Sequence, residues 1–130
     1  MADLQVGLKG ESSITASESN TAVAYGSGGV PVFATPAMVA LMENAAMNSV
    51  EPYLAPKQTT VGTRIEITHK AATPIGMKVV AKSELLSIEG KKLVFKVEAF
   101  DDKELIGTGI HERFIILKEK FLQRVLAKIN

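Results

Sequence analysis

The 130-residue sequence has no cysteine and no tryptophan, and only two tyrosines, five phenylalanines and two histidines. Without cysteine there can be no disulfide, no thiolate metal site and no cysteine nucleophile. The two histidines, His69 and His111, are not at paired ligand spacing, and no H-E-x-x-H is present. A metal site is therefore not expected. An excess of cations is missing too: Lys+Arg is 15 and Asp+Glu is 14. A sequence-independent nucleic-acid binder needs such an excess to displace counterions, so no nucleic-acid partner is expected. Long hydrophobic runs are also lacking. The most apolar window, residues 32–50, is interrupted by Glu43, Asn44 and Asn48, which suits a core helix better than a membrane span. Residues 1–10 show no basic segment leading into an apolar stretch, so neither a signal peptide nor a membrane partner is expected, and the expected location is the cytoplasm.

What remains is an ordinary globular composition, 46% hydrophobic and 22% charged. Its length suits one domain over residues 1–130, able to bury a core without staples. Leu4, Val6 and Leu8 alternate with polar residues, which predicts a short opening strand, and residues 11–16 predict a second extended piece. Residues 17–31 read as a loop, loosest at Gly26-Ser27-Gly28-Gly29. Thr35 and Pro36 then read as the N-cap and first residue of a helix rich in Ala, Leu and Met, ended by Pro52. That helix is apolar round most of its circumference, so it must be covered on most sides.

Beyond Lys57 the period changes to two. Residues 61–69 predict a strand with Val61, Thr63, Ile65, Ile67 and His69 on one face and Gly62, Arg64, Glu66 and Thr68 on the other. Thr73-Pro74-Ile75-Gly76 reads as a type II turn. Strands follow over 77–86, 92–100 and 104–117, the last with Ile106, Ile110, Phe114 and Ile116 opposite Gly107, Gly109, His111 and Arg113. Leu117, Phe121, Val125 and Ile129 recur every four residues, an amphipathic C-terminal helix. Short turns force antiparallel neighbours. One buried helix and about five strands predict an α+β hotdog architecture, a curved antiparallel sheet wrapped around a central helix. One sheet cannot cover that helix completely, so a homodimer or larger homo-oligomer is expected.

Taken singly, the polar residues say little. His69 suits a structural histidine at a strand end, Thr35 an N-cap, and His111-Glu112-Arg113 a solvated strand end. Glu43 stands out more, because a carboxylate in so apolar a helix costs several kcal/mol unless it is paired or wet, about the scale expected for a desolvated charge. It faces either a wet gap or a functional site.

Taken in order, Phe33-Ala34-Thr35, Glu43, Val61-Gly62-Thr63, Thr68-His69-Lys70-Ala71-Ala72-Thr73-Pro74 and Gly107-Thr108-Gly109-Ile110-His111-Glu112-Arg113 form a specific set. Over residues 31–121 the chain resembles the fluoroacetyl-CoA thioesterase-like branch of the hotdog thioesterases. The resemblance implies an acyl-CoA thioesterase with no cofactor beyond the coenzyme A of its substrate. It implies that Thr35, Glu43 and His69 form the reactive set and that Gly62 and Arg113 belong to the substrate site. His69 then acts as general base, since it is the nearby group that titrates close to neutrality. Glu43 orients it or attacks the carbonyl, and Thr35 donates a hydrogen bond or is itself the nucleophile. A backbone amide near Gly62 is expected to bind the oxyanion, and Arg113 a coenzyme A phosphate.

On one straight helix Thr35 and Glu43 would lie about 12 Å apart along the axis. Either Thr35 folds back or the site is assembled between subunits. The stretch preceding Phe33 runs Ala24-Tyr25-Gly26-Ser27-Gly28-Gly29-Val30, where relatives selective for a fluorinated acetyl group are expected to carry an aromatic lid. A short- or medium-chain acyl group is therefore the expected substrate. The alternative is a non-catalytic acyl-CoA binding or sensing module. A hotdog hydratase fits poorly, because the central helix has no histidine.

Overall fold

A computed structural model describes residues 3–129. The chain runs β1 (Lys9–Thr15), α1 (Ala22–Tyr25), α2 (Thr35–Val50), β2 (Gln58–His69), β3 (Lys78–Glu89), β4 (Lys92–Phe100), β5 (Leu105–Leu117) and α3 (Lys118–Leu126). The five strands make one antiparallel sheet in the order β1-β3-β4-β5-β2. Helix α2 packs against β1, β2, β3 and β4, so the sheet wraps it as the hotdog architecture requires.

The concave face is built from cross-strand rows. Ala81 pairs with Ala99, Ala99 with Gly107 and Gly107 with His69. Leu85, Phe95, His111 and Ile65 form a parallel row. Onto these rows α2 presents Met38, Met42, Ala45 and Ala46, all fully buried. Gly107 sets how deeply the helix sits. A Cβ there would fall 2.6 Å from the Met38 sulfur, so the bare backbone admits that side chain.

Several local expectations change. Leu4, Val6 and Leu8 do not form a strand. The chain turns at Gly7 (φ 100°), whose amide donates to the Leu85 carbonyl while the Leu85 amide donates to Leu8. Leu4 and Leu8 pack on the core and Val6 is exposed, so their alternation marks anchoring points. The turn before β3 is shifted by one residue: Met77 N–H donates to Pro74 O, and Gly76 takes the positive φ (99°).

In β5 the apolar-looking face is core only at its start, where Ile106 is fully buried, and turns outward beyond it. Ile110 and Phe114 are exposed, while His111 and Arg113 are buried on the concave side. Gly107 and Gly109 are the signal in that stretch: a Cβ at Gly107 would meet Met38 of α2, and one at Gly109 would meet β2 at Glu66 and Ile67. In β2 the pairing with β5 skips Thr63, a bulge between Gly62 and Arg64. The bulge breaks the predicted face. Thr60 and Gly62, rather than Val61 and Thr63, share the inner side with Ile65, Ile67 and His69.

Helix α3 has an apolar stripe as predicted, but it buries no residue; Leu122, Val125 and Leu126 stay exposed. One flank of α2 is also open, with Pro36, Ala40 and Asn44 exposed and Glu43 and Met47 half-buried. Among the described residues no helix is long and apolar enough to cross a membrane.

Candidate functional site

The helix start places the first candidate, Thr35. Ala34, in extended conformation (φ −75°, ψ 143°), is the N-cap, and its carbonyl accepts from Met38 N–H. Thr35 is thus the first residue of α2 and Pro36 the second. Thr35 is not the cap, and its hydroxyl lies 2.7 Å from His69 Nδ1. His69 is the last residue of β2. Its other nitrogen, Nε2, is buried without a hydrogen-bond partner among the described residues. Burial lowers the imidazole pKa, with the Ala71 backbone opposing it, so the neutral ring is favoured. A cavity of about 290 Å³ opens here between Ala22, Ser27, Phe33, Thr35 and His69. Phe33 itself is buried in the core, and Tyr25 lines a different hollow, beside Ser12 and Ala37. The loop facing His69 therefore contributes Ser27, and no aromatic side chain from residues 24–30, to this cavity.

Two turns further along α2, Glu43 faces a cavity of about 400 Å³ with Ala40, Met47, Gly62 and Arg113. Glu43 has no hydrogen-bond or ion-pair partner among the described residues. Its carboxylate lies over Gly62, where a Cβ would come 2.9 Å from Oε2. Arg113 is only 6% exposed. Its Nε donates to Thr60 Oγ1 (2.8 Å), Nη2 to the Thr60 carbonyl (3.0 Å) and Nη1 to His111 Nε2 (3.1 Å). No carboxylate lies within ion-pair distance of it among the described residues. Burial pushes its pKa down, while Glu43 and then Glu51 oppose that shift as the nearby negative charges. A buried cation without a direct counter-ion is a costly arrangement, which suits it to receive an anionic or developing oxyanionic group.

The structure thus unites Thr35 with His69, and Glu43 with Gly62 and Arg113. It does not unite the two groups within one chain. Gly62 and His69 are seven residues apart on β2, about 20 Å at the rise of a strand. Sequence reasoning missed Thr60 and the burial of His111 and Arg113. The signal available was their alternation with Gly107 and Gly109, read against a convex face that looked more apolar. Among the described residues no three His, Asp or Glu side chains converge as a metal-binding set.

Residues 16–119 match the model of the fluoroacetyl-CoA-specific thioesterase family. The chain belongs to that family. It is accordingly an enzyme of the thioester hydrolase class. The fluoroacetyl-CoA thioesterase of Streptantibioticus cattleyicolor is 47% identical over 97 residues, 75% of this chain and 70% of that protein. Among solved structures, a phenylalanine-to-alanine variant of the fluoroacetyl-CoA-specific thioesterase FlK superimposes with a TM-score of 0.91 at 37% identity, covering 98% of this chain and 99% of that one. A Thermus thermophilus protein of the thioesterase superfamily reaches 0.86 at 27% identity, covering 98% and 96%. These thioesterase relatives share the wrapped helix and the five-stranded sheet.

Proposed function

We propose that this chain hydrolyses a short- or medium-chain acyl-CoA to the free acid and coenzyme A, in a site completed between two copies of the chain. The observation that carries this is the Thr35–His69 pair at 2.7 Å, a hydroxyl coupled to a neutral imidazole beside an open cavity. Family membership supports the thioester chemistry.

The second copy follows from topology. Strand β2 is an edge of the sheet, with one side of its backbone unpaired. Exposed edges are templates for pairing. If β2 pairs antiparallel with its copy about a twofold axis near Ile65 and Glu66, His69 of one copy comes to the neighbourhood of Gly62 of the other. The same axis brings the open flank of α2, with Ala40, Asn44 and Met47, against its counterpart. The group at each end of β2 is then completed by the group at the opposite end of its neighbour.

In such a site His69 accepts the proton of the attacking nucleophile and returns it to the leaving thiolate. Thr35 holds the ring or supplies the hydroxyl that attacks; Glu43 orients the attack or makes it. The developing oxyanion lies against the Gly62 backbone and Arg113. At 6% exposure, lining the cavity beside Gly62, Arg113 suits the oxyanion better than a coenzyme A phosphate, which must stay near the surface. Ser27 and the neighbouring glycines offer no aromatic surface to select fluorine, so acetyl- and fluoroacetyl-CoA should differ by less than about tenfold.

A panel of acetyl-, fluoroacetyl-, butyryl-, hexanoyl- and octanoyl-CoA, read by thiol release, tests the proposal. Turnover of at least one is expected. Tight binding with no thiol release from any member would defeat it in favour of a binding module.

A further inference from the structure

We propose that His111 is a positioning residue: its neutral ring, with the proton on Nδ1, fixes the Arg113 guanidinium beside Glu43 and Gly62. This rests on the reading of Arg113 as a substrate-site group.

The argument starts from which groups can donate. His111 is fully buried in β5, and its Nδ1 lies 2.8 Å from the Arg64 carbonyl. A carbonyl only accepts, so Nδ1 must carry hydrogen. Its Nε2 lies 3.1 Å from Arg113 Nη1. A guanidinium only donates, so Nε2 must be bare. Tautomer and charge are thus set by two hydrogen bonds of opposite sense. Arg64 is the residue that follows the β2 bulge, so the irregular register places the carbonyl that orients the ring. Phe95, its partner on β4, buttresses the imidazole from the side, with ring centres 6.2 Å apart.

The consequence falls on Arg113. Thr60 takes its Nε and Nη2, which fixes one edge of the guanidinium. His111 takes the third nitrogen, Nη1. With all three nitrogens held the plane cannot swing, and one N–H remains on each terminal nitrogen for an incoming oxygen. Gly62 shows how tightly this corner is built. A Cβ there would lie 3.2 Å from His111 Cε1 and 3.3 Å from Arg113 Nη1. A hydrophobic ring in place of His111 would fill the space but leave Nη1 unheld and the Arg64 carbonyl without its donor. Glutamine carries both an acceptor and a donor and can serve both neighbours.

The test combines spectroscopy with a mutant cycle. In ¹⁵N-labelled wild-type protein, His111 should show a protonated Nδ1 and a bare Nε2 near neutral pH; the opposite tautomer or an imidazolium overturns the proposal. The Arg113 Nε–H signal should exchange slowly in wild type, broaden or vanish in His111→Phe and return in His111→Gln; an unchanged signal overturns it. In hydrolysis, His111→Phe should lower kcat/KM roughly ten- to a hundredfold, the scale of a hydrogen bond to a charged group. The same change in an Arg113→Lys background should cost less than about threefold, since the group it positions is gone. Fully additive losses would mean ordinary core packing and overturn the proposal. If Arg113→Lys alone is harmless to an active enzyme, the substrate-site reading of Arg113 fails, while the two spectroscopic signatures still decide what His111 does. Those signatures also decide it if His111→Phe does not fold, because the tautomer is read in wild type and the Arg113 signal in His111→Gln.

Discussion

At the His69 end of β2 the reactive groups are a hydroxyl and a neutral imidazole in hydrogen-bond contact; at the Gly62 end they are a carboxylate and a buried guanidinium that do not touch each other. The first end has a group suited to moving protons but little to stabilise a developing negative charge beyond the exposed Lys70. The second has a carboxylate and a held guanidinium, and its imidazole, His111, is fully enclosed. Each end holds what the other lacks, and about 20 Å of strand separates them. On the proposed reading, the difference teaches that a lone chain holds two half-sites, each completed by an antiparallel neighbour.

The strongest way to break that comparison is complementation. His69→Ala and Glu43→Ala should each lose about a hundredfold or more in kcat, the usual scale for an acid–base group. Unfolded together in equal amounts and refolded, the two variants should recover about a quarter of wild-type activity, because half of random dimers would hold one intact pairing of ends. A mixture as inactive as its components would show that the ends do not meet across copies. A smaller effect sharpens the Gly62 end alone. In Gly62→Ala the new methyl would lie 2.9 Å from Glu43 Oε2, 3.2 Å from His111 Cε1 and 3.3 Å from Arg113 Nη1, so the carboxylate tip must move and the held imidazole and guanidinium must give slightly. A loss of about ten- to a hundredfold in kcat/KM, with a modest fall in melting temperature, is expected from that displacement.

The smallest effect is the pH response. Burial lowers the pKa of both histidines in the folded chain. Unfolded chains bind the proton at about pH 6.5, so the unfolded state holds more protons just below that value. Stability contributed by the neutral rings is complete above the ordinary imidazole range and is lost as pH falls below it. Melting curves between pH 7.5 and 5, a range of roughly two units around that pKa, should show Tm falling on the acid side. The acid limb of kcat/KM should lie below the ordinary imidazole pKa; a limb above it would contradict a desolvated base.

Much of the fold was legible in the sequence. The switch from an Ala-, Leu- and Met-rich segment to period-two segments located α2 and the strands that wrap it. The motif set singled out Thr35, Glu43, His69, Gly62 and Arg113 as candidates, and the structure places them in two groups. Legibility failed where a single residue changed the geometry. Thr63 is bulged out of the ladder, which swaps the inner face of β2 and could not be read from alternation. Ala34 caps α2 through backbone conformation alone, so the better capping side chain, Thr35, misled. In β5, Ile110 and Phe114 gave the convex face a core-like appearance, whereas the buried face carries His111 and Arg113, whose burial depends on Thr60 and Arg64 in another strand. Long-range polar satisfaction of this kind leaves no local period.

Thr35 and Glu43 ride on the same rod, and the seat of that rod is set by the absent side chain at Gly107. Its neighbours across the row, Ala99 and His69, fix the sheet at the same level. A side chain at this seat would press on the Met38 and Met42 tips that α2 lays there, and whatever those tips could not absorb would pass to the helix that carries both hydroxyl and carboxylate. Thr35 and Glu43 therefore share one mechanical reference, and neither can be retuned by moving the helix without disturbing the other.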